Sequence, residues 1–120
     1  MTRKIVLAEK FAAFTETWAP RVVGELNGQQ VKVARLEGEF VWHHHEHEDE
    51  LFWVVGGRLT IELRDGAVDL GPGELCIVPR GVEHRPVAHG MVEVVLFEPA
   101  STLNTGNVRD ERTRADLDRL

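Results

Sequence analysis

Little in this chain provides for covalent cross-linking or for crossing a membrane. Its single cysteine, Cys76, excludes an internal disulfide. The apolar stretch LCIVP around it predicts a small buried side chain in preference to a reactive thiol. Glu9 and Lys10 interrupt the opening MTRKIVLAEKFAAF, so its apolar runs are too short for a signal peptide or a transmembrane helix. We therefore expect a cytoplasmic protein.

Positive charge and catalytic hydroxyl groups are also scarce. The 120 residues carry 14 Lys and Arg against 20 Asp and Glu, which gives a formal net charge of −6 with the basic residues scattered. Nucleic acids and anionic membranes require a basic surface, so neither is expected as a partner. The chain has no tyrosine, and no serine–histidine or cysteine–histidine pair is spaced for nucleophilic catalysis. A small molecule is the expected ligand.

Turn signals divide the middle of the chain at intervals of about 8–12 residues, which is typical of an all-β sandwich or barrel. Hairpin turns are predicted at Asn27-Gly28 and Asp65-Gly66, and a third turn at GPGE, residues 71–74. The strand-like runs between the turns are RVVGEL (21–26), QQVKVARLE (29–37), ELFWVVGG (50–57), RLTIEL (58–63), LCIVP (75–79) and VEVVLFEP (92–99). The inward face of the second run is ambiguous, because apolar residues occur on both faces.

The two ends of the chain differ from this pattern. Apolar residues at helical offsets in AEKFAAFTETW (8–18) predict one short helix before Pro20. The charged tail NVRDERTRADLDRL (107–120) predicts a solvated surface helix or a frayed end. With no linker and no repeat, the expected organisation is a single domain, 1–120, with a barrel core at about 21–99.

A dense group of histidines interrupts the strands. The stretch WHHHEHEDE (42–50) holds four of the six histidines of the chain and four acidic residues. If it starts as a strand, His43 and His45 project from one face at about 6.6 Å along the backbone, and His44 faces the other way. The polar residues 46–49 let the chain turn, so that Glu50 returns opposite the pair. Two imidazoles and a carboxylate suit a divalent first-row metal.

A second patterned string follows at residues 73–84, GELCIVPRGVEH. A strand ends at Pro79, Gly81 turns the chain, and His84 comes directly afterwards. Alone, a histidine after a turn is more often a surface residue than a metal ligand. The regular spacing of Gly73, Pro79, Gly81 and His84 favours the functional interpretation.

Together the two strings resemble the two motifs of the cupin superfamily. In the first, His43-x-His45, four residues, Glu50, six residues and Gly57 match the spacing of the motif. The leading glycine departs from it, because Gly38 is separated from His43 by four residues instead of five.

The second cupin motif runs in full from Gly73 to His84, but its closing asparagine position holds Ala88. That asparagine is not a metal ligand in the family, so the departure leaves the metal hypothesis intact. The flanking sequence is similar to small single-domain cupins described as mannose-6-phosphate-isomerase-like, and the resemblance covers most of the chain.

The resemblance implies a jelly-roll β-barrel, a frequent homodimer, and a metal in the mouth of the barrel. Carried over residue by residue, the implied metal ligands are His43, His45, Glu50 and His84. The implied cofactor is one divalent transition metal ion, either Fe, Zn, Ni, Mn or Cu. On an octahedral ion this set leaves two positions open for water or substrate.

Several further residues are candidates for the wall of the site. Phe52 and Val54 share the parity of Glu50 and should line the cavity, although filling the barrel is the simpler role. Arg35 is a candidate contact for an anionic ligand, and so is Arg85, although most arginines make surface contacts.

Two other histidines have competing interpretations. His47 shares the parity of His45, so it is a competing metal ligand if the strand bulges, and a candidate substrate contact. His89 is expected to be solvated in a turn.

The opposite face of the Glu50 strand carries Leu51, Trp53 and Val55. It is too apolar for water, so either the N-terminal segment or a second subunit should cover it.

Three functions remain compatible with the sequence. The first is a metal-dependent enzyme that acts on a small polar molecule, of the dioxygenase, isomerase or lyase type. The second is a non-catalytic ligand-binding or sensing module with a structural metal, and the third is an empty jelly roll without a metal. Fold alone does not decide among them.

Overall fold

The computed structural model describes residues 2–120, which form six strands and one short helix. The elements are α1 (Leu7–Ala12), β1 (Arg21–Leu26), β2 (Gln29–Glu39), β3 (Glu50–Leu63), β4 (Gly66–Leu70), β5 (Leu75–Val78) and β6 (His84–Pro99). All strand pairs are antiparallel, in the order β1-β2-β6-β3-β4, with β5 also paired to β3. The predicted all-β jelly roll with a short N-terminal helix is confirmed.

The two longest strands carry the barrel. β6 lies between β2 and β3 and pairs with β3 from Leu51↔Phe97 to Leu63↔His84. Strands of 14 and 16 residues bend to close a barrel, and the register shifts around Gly56 mark where β3 bends against β6.

The interior of the barrel is apolar apart from one end. The buried inner core consists of Ala34, Leu36, Phe52, Val54, Leu59, Ile61, Leu70, Val78, Ala88, Val92, Val94 and Leu96. These positions alternate along β2, β3 and β6, as expected for strands with one face inward. In β2 the inward set is Lys32, Ala34 and Leu36, which resolves the face that the sequence left ambiguous.

The predicted hairpins are present, one of them displaced. Asn27 and Gly28 both have positive φ (51° and 78°) and join β1 to β2 in a two-residue turn. The second turn uses Arg64 and Asp65, since Gly66 already pairs with Leu63. That turn therefore lies one residue earlier than predicted.

Two strands were predicted too short. Residues 50–57 and 58–63 form one strand, because Gly57 (φ 86°) makes a bulge and not a chain reversal. β6 begins at His84, not at residue 92, so His89 lies in a strand and not in a turn. His89 is exposed, and its Nε2 is 2.8 Å from the Thr60 hydroxyl.

The N-terminal segment packs on the outside of the sheet. Helix α1 ends at Ala12, so it is shorter than the predicted stretch 8–18. Phe11 and Phe14 are buried against Val33 and Val95, on the outer faces of β2 and β6. Burying each phenylalanine contributes roughly 2–3 kcal/mol, enough to hold a helix that is too short to be stable alone.

The C-terminal tail is neither a helix nor a frayed end, which corrects the prediction. Residues 100–120 form turns without a helix. Arg119 makes a bridge with Val22, and Thr105 is fully buried, with its hydroxyl bonded to the Val108 carbonyl at 2.6 Å. Some charged side chains of the tail are partly buried: the guanidinium carbon of Arg112 lies 5.7 Å from the ring centroid of Trp18 and 5.5 Å from that of Phe40.

No helix found between residues 2 and 120 is long and apolar enough to span a bilayer.

Candidate metal centre

The two histidine-bearing stretches meet at one end of the barrel through a single β-bridge. The amide of His43 donates to the carbonyl of His84 at 3.0 Å, and the amide of His84 donates to the carbonyl of His43 at 2.9 Å. Two residues further on, the carbonyl of His45 accepts from the amide of Gly81 at 2.8 Å. These bonds fix His84, 41 positions away in the chain, opposite the His43-x-His45 pair.

The four side chains implied by the resemblance converge in the interior. One possible ligand atom from each of His43, His45, Glu50 and His84 lies within 4.8 Å of all the others. The carboxylate Oε1 of Glu50 is 3.3 Å from Nε2 of His45 and 3.4 Å from Nε2 of His84. All four residues are buried.

Backbone carbonyls set the tautomer of two of the imidazoles. Nδ1 of His43 lies 2.9 Å from the carbonyl of Val41, and Nδ1 of His84 lies 2.9 Å from that of Val82. Because a carbonyl only accepts, each Nδ1 carries a proton and each Nε2 keeps its lone pair for a metal.

Burial keeps His43 neutral, as a metal ligand must be. Burial, with the nearby His84, lowers the pKa of His43 to about 4. For Glu50, burial alone would raise the pKa. The imidazoles of His45 and His84, whose Nε2 atoms lie 3.3 and 3.4 Å from its Oε1, outweigh burial and hold the pKa of the carboxyl well below its ordinary value. The set therefore combines neutral imidazole with a carboxylate.

Unpaired polar atoms show that these residues fit a metal. Within the described chain, both ring nitrogens of His45, Oε1 of Glu50 and Nε2 of His84 are buried without a hydrogen-bond partner. Buried polar atoms are almost always paired in folded proteins, and each such loss costs about 1–3 kcal/mol. A divalent ion bound by three nitrogens and one oxygen would satisfy them, and Fe, Mn, Ni, Cu and Zn all accept this set.

A pocket with an interior volume of about 40 Å³, open on one side to solvent, adjoins the cluster. Its walls are formed by Trp18, Pro20, Lys32, Ala34, Leu36, Phe40, His43, Glu50, Phe52, Pro86, Leu96, Glu98 and Asn104. Trp18 and Phe40 stack with ring centroids 4.5 Å apart. Most of the lining of this cavity is apolar, and its volume suits only a ligand of a few non-hydrogen atoms.

Lys32 and Glu98 form a buried ion pair in this cavity, which the sequence did not reveal. Nζ of Lys32 lies 2.8 Å from Oε2 of Glu98, and each side chain is 2% exposed. Burial and the negative charge of Glu50 raise the pKa of Glu98 well above its ordinary value, while Lys32 opposes them. The sequence signal for this pair was Lys32, in a strand that is otherwise half apolar. Lysine is a residue type that normally faces solvent.

Of the residues expected to line the substrate cavity, some lie in its wall and others do not. Phe52 lies in the wall. Val54 has the predicted inward parity but is packed in the core below the cavity, at 0% exposure. His47 is 82% exposed and outside the cluster, because the chain turns outward over residues 46–49.

The arginines expected near an anionic ligand also lie elsewhere. Arg35 is on the outer face of β2, where it donates to the carbonyls of Phe11 and Phe14, so its proposed ligand contact is wrong. Arg85 pairs with Glu39 and Glu62.

The C-terminal tail closes one side of the centre. The amide of His44 donates to the Asn107 side chain at 2.9 Å, and the amide of Asn107 donates to the carbonyl of His44 at 3.1 Å. A Cβ on Gly106 would overlap the His44 carbonyl oxygen and lie 3.0 Å from the ring of His43. Glycine thus allows the tail to approach the backbone of the ligand-bearing segment at His44, and His44 is half-buried.

Comparison with known proteins agrees with this fold. A cupin-2 domain-containing protein of Shewanella frigidimarina is 43% identical, with a TM-score of 0.78 over 79% of this chain and 93% of that one. Protein NMB1881 of Neisseria meningitidis is 30% identical, with a TM-score of 0.74 over 82% of this chain and all of that one. The uncharacterized protein YdbB of Bacillus subtilis is 33% identical over 63% of this chain and 77% of its own length.

The family model described as "Cupin domain", Cupin_2, matches residues 29–98, from the start of β2 to the end of β6. This span contains all four converging side chains. The chain belongs to the Cupin_2 family.

Proposed function

We propose that this cupin is a metal-dependent enzyme that acts on a small molecule, of the dioxygenase, isomerase or lyase type. The observation that carries the proposal is the set of four converging, buried ligand residues, three of which have unpaired atoms, beside a cavity. His43, His45, Glu50 and His84 would hold one divalent transition metal ion.

Such an ion supplies Lewis-acid polarisation, a lowered pKa for bound water, or oxygen chemistry if it is iron. The protein supplies orientation and exclusion of water. The Val41 and Val82 carbonyls orient two imidazoles, and the apolar wall around Phe40 and Phe52 limits the access of water to the ligand.

A sugar-phosphate isomerase is the least supported of the enzyme types. A phosphate dianion needs cationic anchors, and Lys32 is the one basic side chain in the cavity wall formed by the described residues. That lysine is already paired with Glu98. A single lysine whose charge is shared with Glu98 is too weak an anchor for a phosphate dianion, so a mannose-6-phosphate-isomerase-like activity is the least favoured.

A second candidate is a ligand-binding or sensing module with a structural metal. The acidic groups of the cavity already have other roles, which favours this candidate. Glu50 belongs to the proposed ligand set, and Glu98 is paired with Lys32. Both carboxylates of the described wall therefore already have a role, and Oε1 of Glu98 is the oxygen of this ion pair that has no hydrogen-bond partner.

Metal content tests the proposed centre. Protein purified without a chelator should carry close to one transition metal ion per chain. His84→Ala should lose most of this metal, because it removes one of the four ligands and leaves the barrel strands intact. His47→Ala, which changes an exposed histidine outside the cluster, is the matched control and should keep the metal. Full occupancy in His84→Ala would contradict the assigned ligand set.

Turnover separates the enzyme from the sensor. The iron-loaded protein should consume oxygen with at least one compound in a panel of small diketones, thiols and hydroxy acids. The same panel with the nickel- and zinc-loaded protein tests lyase and isomerase chemistry by product analysis. Tight binding with no product under any metal would favour the sensing module.

A further inference from the structure

The Lys32–Glu98 pair lies next to the metal centre in the register of the sheet. Leu51 of β3 is opposite Phe97 of β6, so the neighbouring positions, Glu50 and Glu98, are adjacent across the two strands. Lys32, from β2 on the other side of β6, reaches Glu98 at 2.8 Å. A cationic group therefore lies one side chain away from a proposed metal ligand, within the same cavity wall.

Stability alone does not account for this pair. Removing two charges from water costs several kcal/mol per ion, and apolar replacements of buried pairs are often as stable. The ammonium of Lys32 has three donors, and within residues 2–120 its hydrogen-bond partner is the Glu98 carboxylate. Two donors remain for another acceptor in the cavity.

We propose that Lys32 recognises the carboxylate of a small chelating acid, a 2-oxo or 2-hydroxy acid, whose oxygens complete the coordination of the metal. This assignment of substrate class rests on the proposed metal centre. A divalent ion on the Glu50 carboxylate leaves a net charge of about +1, and the Lys32–Glu98 ion pair adds none. A monoanionic ligand balances that charge.

The rest of the wall defines the remainder of the ligand. Trp18, Leu36, Phe40 and Phe52 present apolar surface. The hydroxyl groups of a sugar would lie unpaired against it, at a cost of about 1–3 kcal/mol each. A short alkyl chain meets no such cost, so the geometry favours a short-chain acid over a polyol.

Pyruvate and pyruvamide test the proposal in the wild-type protein. They are similar in size and both chelate through two oxygens, and pyruvate alone carries a negative charge, which the metal ion and Lys32 both attract. We expect cobalt(II)-loaded protein to bind pyruvate about tenfold or more tightly than pyruvamide, since a hydrogen bond to a charged group is worth about 1.5–3 kcal/mol. Titration of the visible cobalt absorption gives both dissociation constants. Equal affinity for the two compounds would overturn the proposal.

Paired variants separate the ammonium from the carboxylate. The double variant Lys32→Met and Glu98→Gln removes both charges without leaving one buried alone. It should weaken pyruvate binding by about tenfold and leave pyruvamide binding unchanged. Glu98→Gln alone keeps the ammonium and should retain the preference for pyruvate. Loss of the preference in Glu98→Gln, or an undiminished preference in the double variant, would contradict the role of Lys32.

The cobalt content distinguishes this inference from the function on which it rests. If the wild-type protein binds no cobalt, the metal centre itself is wrong. If it binds cobalt and does not discriminate between pyruvate and pyruvamide, the metal centre stands and the assignment of Lys32 fails.

Discussion

At the scale of single residues, the site uses the same local arrangement twice. In Val41-x-His43 and in Val82-x-His84, the imidazole Nδ1 donates to the carbonyl two residues earlier. Each ring is therefore oriented by its own short segment. The bridge between His43 and His84 then brings the two segments together. Ring orientation is a local property of the sequence, whereas convergence depends on the fold.

The single cysteine provides a residue-scale prediction about pH. Cys76 is partly buried in β5, and burial, with the negative charge of Glu50, raises the pKa of its thiol. At a given pH the folded protein therefore holds less thiolate than the unfolded chain, and thiolate is the reactive form. We expect iodoacetamide to alkylate Cys76 several-fold more slowly in the native protein than in urea at pH 8.

The difference in alkylation rate should narrow as the pH rises through the raised pKa of the native thiol. Free cysteine under the two solvent conditions is the control for the reagent. A native rate equal to that of the unfolded chain would show that Cys76 is a reactive thiol after all.

The sequence predicted part of the residue-scale geometry. His43, His45 and Glu50 lie close together in the chain, so alternation of side chains was enough to group them. Lys32 and Glu98 are 66 positions apart, and each is of a residue type that is normally solvent-exposed. Their meeting depends on the register between β2 and β6, which composition and local periodicity do not specify.

At the scale of elements, glycine was the main source of error. Gly56-Gly57 has the composition of a turn, but at Gly57 a Cβ would lie 2.6 Å from the Met91 carbonyl oxygen. Position 57 requires glycine because β6 passes close to the bulge of β3. A sequence pattern does not distinguish a glycine that ends a strand from one that lets a neighbouring strand approach.

The contact of the tail with the metal centre gives an element-scale prediction. Gly106→Ala should displace the tail, because the new Cβ would overlap the His44 carbonyl oxygen. The two hydrogen bonds between Asn107 and His44 would then be lost, and the segment that carries His43 would be less constrained. We expect the dissociation constant for cobalt(II) to rise by about tenfold or more, the usual effect of losing support behind metal ligands.

Gly28→Ala is the matched control for this experiment. Gly28 also has positive φ (78°), but a Cβ there would meet no atom within 4 Å, whereas Gly106 has φ of 56° and a crowded site. Gly28→Ala should therefore lower the free energy of unfolding through backbone strain and leave the affinity for cobalt unchanged. Equal cobalt affinities in the two variants would show that the tail does not support the centre.

At the scale of the whole molecule, the outer face of β3 is covered over one part only. Val55 packs with the cluster formed by Phe11 and its neighbours, so the N-terminal segment covers that end. At the other end Trp53 lies opposite Leu75, and the exposed fractions of these side chains are 41% and 52%. Ile77, opposite Leu51, is 59% exposed.

These residues, Leu51, Trp53, Leu75 and Ile77, form an outer apolar patch that we propose is covered by a second copy of the chain. They share one face of β3 and β5 in direct register, and a contiguous apolar surface of this kind is typical of an interface. A twofold dimer would bury the same patch on both subunits. The expected species in sedimentation velocity is therefore a dimer of 13.5 kDa chains.

Placing charge in the patch should dissociate this dimer. Leu75→Lys with Ile77→Lys puts two ammonium groups on each side of a self-complementary interface, where they would be buried and face like charges. We expect a monomer in sedimentation velocity at concentrations where the wild-type protein is dimeric, with metal content unchanged, since neither side chain lines the metal cavity. Met91→Lys, which changes a 44% exposed residue outside the patch, should remain dimeric. A monomeric wild-type protein, or a double variant that stays dimeric, would show that this face is not the interface.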